Sequence, residues 1–477
     1  MDVLVSGVGN MSAWRTLIRL VVTTLFVVLG ASCGGGGYGG GGGGSTPPAT
    51  LTLSLEPTTI TLGQSATLTW TTNGASCTAS GAWSGTKSAG GSETVTPTAT
   101  GMFSYALSCL GGGYGESDGR SVTLTVNPAA SAFTMTLLVS GFGGSAAITT
   151  DPKLVSPMGL AFVPGASARV ASSSMSTEYD GNGKLHSPPR TSAAGASAIG
   201  INTTMDPTGI VANSTPDFVI TAPGESGPAQ FIFAGKGGML GGGSRDLTEP
   251  TIAYAASDGA VYLGLALASN SSGTFVYATD FRNNKIDVFD GNFRRMAPRA
   301  GRFNDPALPA GYAPFGIQAV QNAADGSTQI YVTYARQIPP DNRDNAIGAG
   351  LGLVNVFDTT GTLLRRLVPD GGPLDAPWGI ALAPADFGSL SNALLIGNSG
   401  DGRINAFDPA TGKFVGTVSD ADARPIATRG LRALAFGNGS HSQPHNTLFF
   451  TAATDETDGI FGRIDVGAMP PPLELAD

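Results

Sequence analysis

The chain has 477 residues, of which 13% are charged and 70 are glycine, and its formal net charge is −9. Few charges, many small residues and short apolar runs favour strands and turns over helices, so we expect an all-β protein. The negative charge and the lack of clustered Lys and Arg argue against nucleic acid as the main partner, because phosphate binding requires such clusters.

The first 33 residues are predicted to be a targeting signal rather than part of the fold. Arg15 and Arg19 precede an apolar run, Leu20–Leu29, that is too short to span a bilayer as a helix, and a small-residue stretch leads to Cys33. This segment resembles a bacterial lipoprotein signal, although Gly30 stands where the pattern prefers Leu. The resemblance implies lipidation of Cys33 and a location at the cell envelope, in the outer membrane if the cell has one. The alternative is an ordinary secretory signal cleaved nearby, and translation could start at Met1 or Met11.

Residues 34–48 consist mainly of glycine and are predicted to be a flexible tether, because poly-Gly cannot bury apolar surface. If Cys33 is lipidated, the chain contacts the membrane through this lipid anchor only. Two cysteines then remain, Cys77 and Cys109, and in a secreted protein the default for such a pair is a disulfide.

The region 49–128 reads as short strands with alternating apolar residues, and Trp70 and Trp83 are expected to pack against the disulfide. It resembles bacterial immunoglobulin-like modules, which implies a small β-sandwich that serves as a spacer or as an adhesive module. The matching positions are Gly63, Leu68, Trp70, Cys77, Tyr105, Leu107 and Cys109.

The remainder of the chain is repetitive. ATDFRNNKIDVFD (278–290) recurs as IGNSGDGRINAFD (396–408), and six short motifs of the type P-x-G-I-A recur every 50 to 63 residues. Each motif precedes strand-like runs, which gives six units of four strands and indicates a six-bladed β-propeller over residues 133–466, followed by a tail at 467–477. The last unit lacks a fourth strand, and we expect Phe133–Val139 to supply it and close the ring.

The repeats resemble NHL-type propellers, and over about residues 133–466 they resemble more closely a family of secreted bacterial six-bladed proteins of uncharacterised function. The residues that carry this resemblance include DPKLVSPMGLAF, PWGIALAPADFG and the C-terminal LFFTAATDETDGIFGRI. The first unit departs from the pattern, because serines stand where other units have Asp or Asn.

Polar residues cluster where the second strand of several units ends. Asp280, Asn398 and Asp455 offer the oxygen ligands that Ca²⁺ prefers. The alternative is that each caps its own hairpin turn. Asn283-Asn284 and Asp401-Gly402 are expected to form two-residue type I′ turns.

These turns are expected to surround the face of a propeller on which ligands bind. The residues of this predicted ring are Asp280, Arg282, Asn283, Asn398, Asp401, Asp455 and Asp458. Loops on rigid scaffolds commonly carry function, so we interpret the propeller as a binding scaffold for an envelope protein or a glycan. The alternative is a Ca²⁺-dependent propeller hydrolase such as a lactonase, and Ca²⁺ is the one cofactor that this alternative implies. No residue is assigned a catalytic role, because the three histidines lie in loops and no nucleophile motif is present.

Overall fold

The computed structural model describes residues 50–61, 64–74, 76–97, 101–110, 118–127, 132–143, 145–173, 175–186, 198–200, 205–222, 225–243, 251–322 and 325–467. The predicted signal, Cys33, the tether, Gly63 and residues 468–477 of the tail lie outside the described residues.

The described part of the chain is all-β, as the composition predicts. Within it the one helical element is a single 3₁₀ turn at Gly388–Leu390. Consistent with this, none of the described segments contains a helix of the length and hydrophobicity that crossing a membrane requires.

The N-terminal region forms two sheets. The first sheet has the order β1 (Leu51–Glu56), β3 (Ala66–Thr72), β6 (Gly90–Val95). The second has the order β2 (Thr59–Thr61), β8 (Asp118–Asn127), β7 (Gly101–Leu110), β4 (Ser76–Gly81), β5 (Gly85–Lys87). Alternate residues of β3 and β7 are buried in a shared core, as the alternating apolar residues of the region 49–128 predict.

The predicted disulfide is confirmed and belongs to this core. It joins Cys77 to Cys109, which face each other on neighbouring strands of one sheet with their Cα atoms 4.0 Å apart. Trp70 and Trp83 pack edge to face at 5.5 Å, and both indole N–H groups donate to backbone carbonyls. The two tryptophans therefore fill the core without leaving a polar group unpaired.

Six further sheets follow one another along the chain. The first contains β11 (Gly159–Phe162), β12 (Ala168–Ser172), β13 (Met175–Tyr179) and β14 (Ala198–Gly200). The second contains β15 (Pro207–Ala212), β18 (Phe231–Gly235), β19 (Met239–Gly243) and β20 (Thr251–Ala255), and a separate hairpin is formed by β16 (Val219–Ala222) and β17 (Glu225–Pro228). The third contains β21 (Tyr262–Asn270), β22 (Gly273–Asp280) and β23 (Lys285–Phe289).

The remaining three sheets complete the set. The fourth contains β24 (Tyr312–Gln321), β25 (Thr328–Arg336), β26 (Leu353–Asp358) and β27 (Leu363–Val368). The fifth contains β28 (Pro377–Leu382), β29 (Leu394–Asn398), β30 (Ile404–Phe407) and β31 (Phe414–Thr417). The sixth contains β32 (Leu431–Phe436), β33 (Leu448–Ala452), β34 (Ile460–Gly467), β9 (Ala132–Ser140) and β10 (Thr149–Thr150).

The sixth sheet combines the two ends of this region. Strand β9 pairs antiparallel with β34, so the segment Phe133–Val139 supplies the missing strand as predicted. The first strands of consecutive sheets contact each other, and β32 contacts β11, which closes the circle. The first strands therefore surround a central channel.

The glycines of the repeated motif allow these first strands to approach each other. A Cβ atom on Gly316 would lie 1.9 Å from the carbonyl oxygen of Trp378, and one on Gly379 would lie 2.5 Å from that of Arg432. No side chain fits at such distances, so the channel wall requires glycine at these positions.

Two local predictions are wrong. The third sheet has three strands in place of four, because the chain after Phe289 makes only an isolated bridge to Arg295. The two hairpin turns span four residues each, 281–284 and 399–402, and only Asn284 and Gly402 have positive φ. The longer loops form because Asp280 and Asn398 bond to loop residues and hold a wider turn.

Candidate functional site

The predicted ring residues lie in equivalent loops of the third, fifth and sixth sheets. Asp280 ends β22 and is fully buried. Its Oδ1 accepts hydrogen bonds from the backbone N–H groups of Val261 (3.1 Å) and Asn283 (3.3 Å), and its Oδ2 accepts one from Asn283 Nδ2 (2.8 Å). Arg282 donates to the carbonyl oxygen of Gly259 at 3.1 Å. Burial raises the pKa of Asp280, and the hydrogen bonds that it accepts from Asn283 and Val261 oppose the rise.

In the fifth sheet, Asn398 is also fully buried and caps its own loop. Its Nδ2 donates to the carbonyl oxygen of Pro373 at 2.9 Å and to Asp401 Oδ1 at 3.0 Å. Its Oδ1 has no hydrogen-bond partner among the described residues.

In the sixth sheet, the two acidic residues bind the loop that carries them. Asp455 Oδ1 accepts from Thr457 N (2.7 Å) and Asp458 N (3.0 Å), and Asp458 Oδ1 accepts from Thr454 N (2.8 Å). The bonds from Thr457 and Asp458 lower the pKa of Asp455. Asp280, Asn398 and Asp455 were predicted as metal ligands, with the capping of their own hairpin turns as the alternative. All three make the contacts of that alternative.

The structure brings together a different acidic group around Asp280. One carboxylate oxygen each of Asp258, Asp280 and Asp287 lies within 4.8 Å of the other two. The ammonium of Lys285 lies among them, 2.8 Å from Asp258, 3.5 Å from Asp280 and 3.2 Å from Asp287. Arg295 adds contacts to Asp258 (2.9 Å) and Asp287 (3.3 Å). We call these five residues the ion cluster.

The charges of the ion cluster stabilise one another. The hydrogen bond from Lys285 is the main reason that the pKa of Asp258 falls to about 2. Burial lowers the pKa of Lys285, but its bonds to Asp258 and Asp287 outweigh burial and raise it. A cation of the protein therefore occupies the position that a metal ion would need.

Only part of the ion cluster could be predicted from the sequence. Lys285 and Asp287 are two residues apart on β23, so their side chains share one face, and the pairing of Asp280 with Lys285 follows from the hairpin. Asp258 lies in the loop before β21, and no motif indicates that it reaches this position.

The channel differs at its two ends. Where the first strands begin, on the side of the predicted ring, large apolar side chains pack together: Phe281 lies 5.1 Å from Phe315, and Phe315 lies 4.6 Å from Trp378. Arg432 stacks on Trp378 at 5.5 Å, and burial lowers the pKa of its guanidinium. The free volume next to this apolar layer is about 60 Å³.

Where the first strands end, the channel widens into a cavity of about 550 Å³, which we call the central cavity. Its eighteen lining residues come from all six first strands and none of them is ionisable; Gln318 and Gln321 are the only ones with polar side chains. The wall is formed mainly by aliphatic and aromatic side chains such as Phe162, Leu267 and Phe436. The sequence motifs did not indicate this cavity, because its lining is ordinary strand sequence.

Consecutive antiparallel sheets whose first strands surround a channel are the architecture of a β-propeller. The protein is therefore an all-β protein of the β-propeller type. No protein-family model matches the chain. It is 33% identical over 329 residues to the uncharacterised protein R648 of Acanthamoeba polyphaga mimivirus, a match that covers 66% of this chain and 76% of the relative. It is 34% identical over 207 residues to the uncharacterised protein L690 of the same virus, over 43% of this chain and 51% of the relative.

The chain therefore belongs to the family of the mimivirus protein R648. Among solved structures it is similar to the Dos1 propeller, with 10% identity, a TM-score of 0.34 and coverage of 67% of this chain and 69% of that one. R648 and L690 are viral proteins, whereas the sequence patterns predict bacterial relatives.

Proposed function

We propose that residues 133–466 form a six-bladed β-propeller and residues 49–128 an immunoglobulin-like sandwich. The six consecutive sheets and the contact between β32 and β11 support the first assignment. The two sheets with a shared core around Trp70 and Trp83 support the second. In this arrangement the sandwich is a spacer that precedes the functional propeller.

The propeller acts as a binding scaffold, and the central cavity is the observation that carries this proposal. Its volume lies in the range of small-molecule sites, which are mostly apolar and bounded by rigid elements. A cavity without an ionisable lining residue offers no carboxylate or imidazole that could act as a general acid, a general base or a charged metal ligand. Its apolar side chains offer the transfer of apolar surface out of water, at about 25 cal/mol per Å² buried, and Gln318 and Gln321 add polar groups beside them. The ligand is therefore an apolar small molecule or the apolar group of a larger envelope ligand.

The alternative, a Ca²⁺-dependent hydrolase, receives less support from the geometry. Asp280, Asn398 and Asp455 are each engaged by their own loops, and Lys285 fills the acidic group around Asp280. Binding of Ca²⁺ would require Lys285 to leave. A melting curve with Ca²⁺ and with a chelator distinguishes the two functions, because only a metal-dependent protein changes its melting temperature.

The scaffold is proposed to be held at the cell envelope by a lipid on Cys33, with an envelope protein or a glycan as its partner and no contact with nucleic acid. The signal-like segment and the glycine-rich tether of the sequence support this location. Expression with a clickable palmitate analogue tests it. The full chain should carry the label and a Cys33→Ala variant should not; equal labelling of both would refute the anchor.

The binding proposal is tested with the neutral fluorescent probe N-phenyl-1-naphthylamine. Wild-type protein should bind it saturably with a rise in fluorescence. Gln318→Trp, which places a larger side chain at an exposed position of the cavity lining, should abolish this binding. The control is Ala255→Trp on the exposed side of β20, which should bind as wild type does. Loss of binding in both variants, or in neither, would refute the assignment of the site.

A further inference from the structure

A second pocket lies away from the central cavity, between the third and fourth sheets. It has a volume of about 150 Å³ and is lined by β22, by the segment 296–303 and by the turn at Thr359 and Thr360. The two sheets are fixed against each other beside it, because the Tyr277 hydroxyl donates to the carbonyl oxygen of Thr359 at 2.8 Å. We call this pocket the arginine cleft.

Two cations line the arginine cleft, Arg299 and Arg302. Neither makes a side-chain ion pair or hydrogen bond with any described residue. Two other arginines of this region are paired: Arg295 contacts Asp258 at 2.9 Å, and Arg366 donates to Asp305. Arg299 and Arg302 differ from these two, because both line one pocket and their guanidinium groups are not taken up by a carboxylate of the described structure.

The rest of the wall is aromatic. Phe275 and Phe303 are half-buried and line the cleft, and the ring of Phe303 lies 5.6 Å from that of Tyr277. Burial raises the pKa of the Tyr277 hydroxyl, and the nearby Arg302 guanidinium opposes the rise. The cleft thus combines apolar ring surfaces with free, planar donors.

These groups specify the chemistry of a ligand. A guanidinium fork matches the two oxygens of a carboxylate or the oxygens of a phosphate, and charge-assisted hydrogen bonds of this kind are strong. Aromatic side chains provide a surface for the apolar face of a ring, and Asn270, Ser272 and Thr360 add polar atoms at the rim. The volume admits a single ring.

We propose that the arginine cleft is a binding site for an anionic sugar, that is, a sugar ring carrying a carboxylate or a phosphate. The oxyanion pairs with Arg299 and Arg302, and the ring packs against Phe275 and Phe303. This site is separate from the central cavity, so a test of anionic sugar binding does not depend on whether the central cavity binds an apolar group.

The test is saturation-transfer NMR and calorimetry on the purified full chain with three probes: glucuronate, glucose 6-phosphate and glucose. Saturable binding of glucuronate or of glucose 6-phosphate, with glucose at least tenfold weaker, supports the proposal and identifies which oxyanion is preferred. The absence of saturable binding to either anionic sugar overturns it. Equal binding of glucose also overturns it, because the arginines would then contribute nothing.

Three variants locate the site. Arg299→Gln combined with Arg302→Gln should weaken binding at least tenfold, and Arg302→Lys should weaken it partially, because it keeps the charge and loses the fork. The control is Arg294→Gln, the same type of substitution with the loss of one positive charge, at an exposed residue outside the cleft. An equal loss in Arg294→Gln would show nonspecific attraction of anions and would overturn the site. These arginines are surface residues, so melting temperatures of the variants near that of wild type verify folding.

Discussion

Replacement of Lys285 by alanine tests the interpretation of the ion cluster most sharply. The change removes the ammonium that lies within 3.5 Å of three carboxylates and is the only ion-pair partner of the buried Asp280 in the described structure. Breaking a buried ion pair by removing one partner costs about 3–5 kcal/mol. The Lys285 side chain is 32% exposed, so solvent screening reduces our expectation to about 2 kcal/mol.

The pH dependence has a defined sign. Burial already raises the pKa of Asp280, and loss of Lys285 raises it further. A carboxyl group with a raised pKa in the folded state favours folding only while it is protonated. The deficit of Lys285→Ala relative to wild type should therefore be largest at pH 7 and should shrink as the pH falls through the raised pKa of Asp280.

The same variant should acquire a cation site. Its three carboxylates lie within 4.8 Å of one another and no longer hold an ammonium. Ca²⁺ at ten times its dissociation constant would then add about 1.4 kcal/mol of stability. The assay is differential scanning fluorimetry at pH 7 and pH 5, with CaCl₂ and with a chelator, on wild type, Lys285→Ala and the exposed control Lys413→Ala. An increase in the melting temperature of wild type with Ca²⁺ would refute our reasoning and favour the hydrolase alternative.

Three further predictions concern the stability of the fold and are checked by urea unfolding. Thr279→Val removes a hydroxyl that donates to the Phe315 carbonyl of the next sheet at 2.8 Å, which should cost about 1–3 kcal/mol. Gly316→Ala should cost about 3 kcal/mol or more because its Cβ collides with backbone, whereas Gly227→Ala, with nothing within 4 Å, should change stability by less than about 0.5 kcal/mol. Cys77→Ala opens a disulfide loop with a sequence separation of 32 and should destabilise the N-terminal sandwich by about 3–4 kcal/mol, without altering the unfolding of the propeller. Equal stability of Gly316→Ala and Gly227→Ala would contradict the close approach of the first strands.

Local patterns made the architecture predictable from the sequence. Alternation in 103–109, the repeated P-x-G-I-A motif and the strand-like segment at Phe133 each depend on short-range periodicity, and the strand pairing reflects them. The third sheet departed from the pattern because the arginine-rich segment after Phe289 forms a bridge and a loop in place of a fourth strand.

The candidate sites were less predictable, because they depend on contacts between distant residues. The sequence showed that Asp280 is a polar residue in a recurring motif. Its place in the ion cluster depends on Lys285 and on Asp258, and Asp258 lies in a loop that no sequence motif marks. The arginine cleft joins Arg302 to Thr359 of the next sheet, across 57 positions of sequence. The central cavity is formed by the ends of six strands, and the sequence of an individual strand does not indicate that a cavity lies beside it.

The most direct measurement is a crystal structure of the protein grown with N-phenyl-1-naphthylamine. We predict density for the probe in the central cavity, in contact with Leu267 and Gln318, on the side of the propeller opposite the loops that carry Asp280 and Asn398. Density for the probe over those loops, with the central cavity unoccupied by it, would contradict the proposal that the cavity is the binding site.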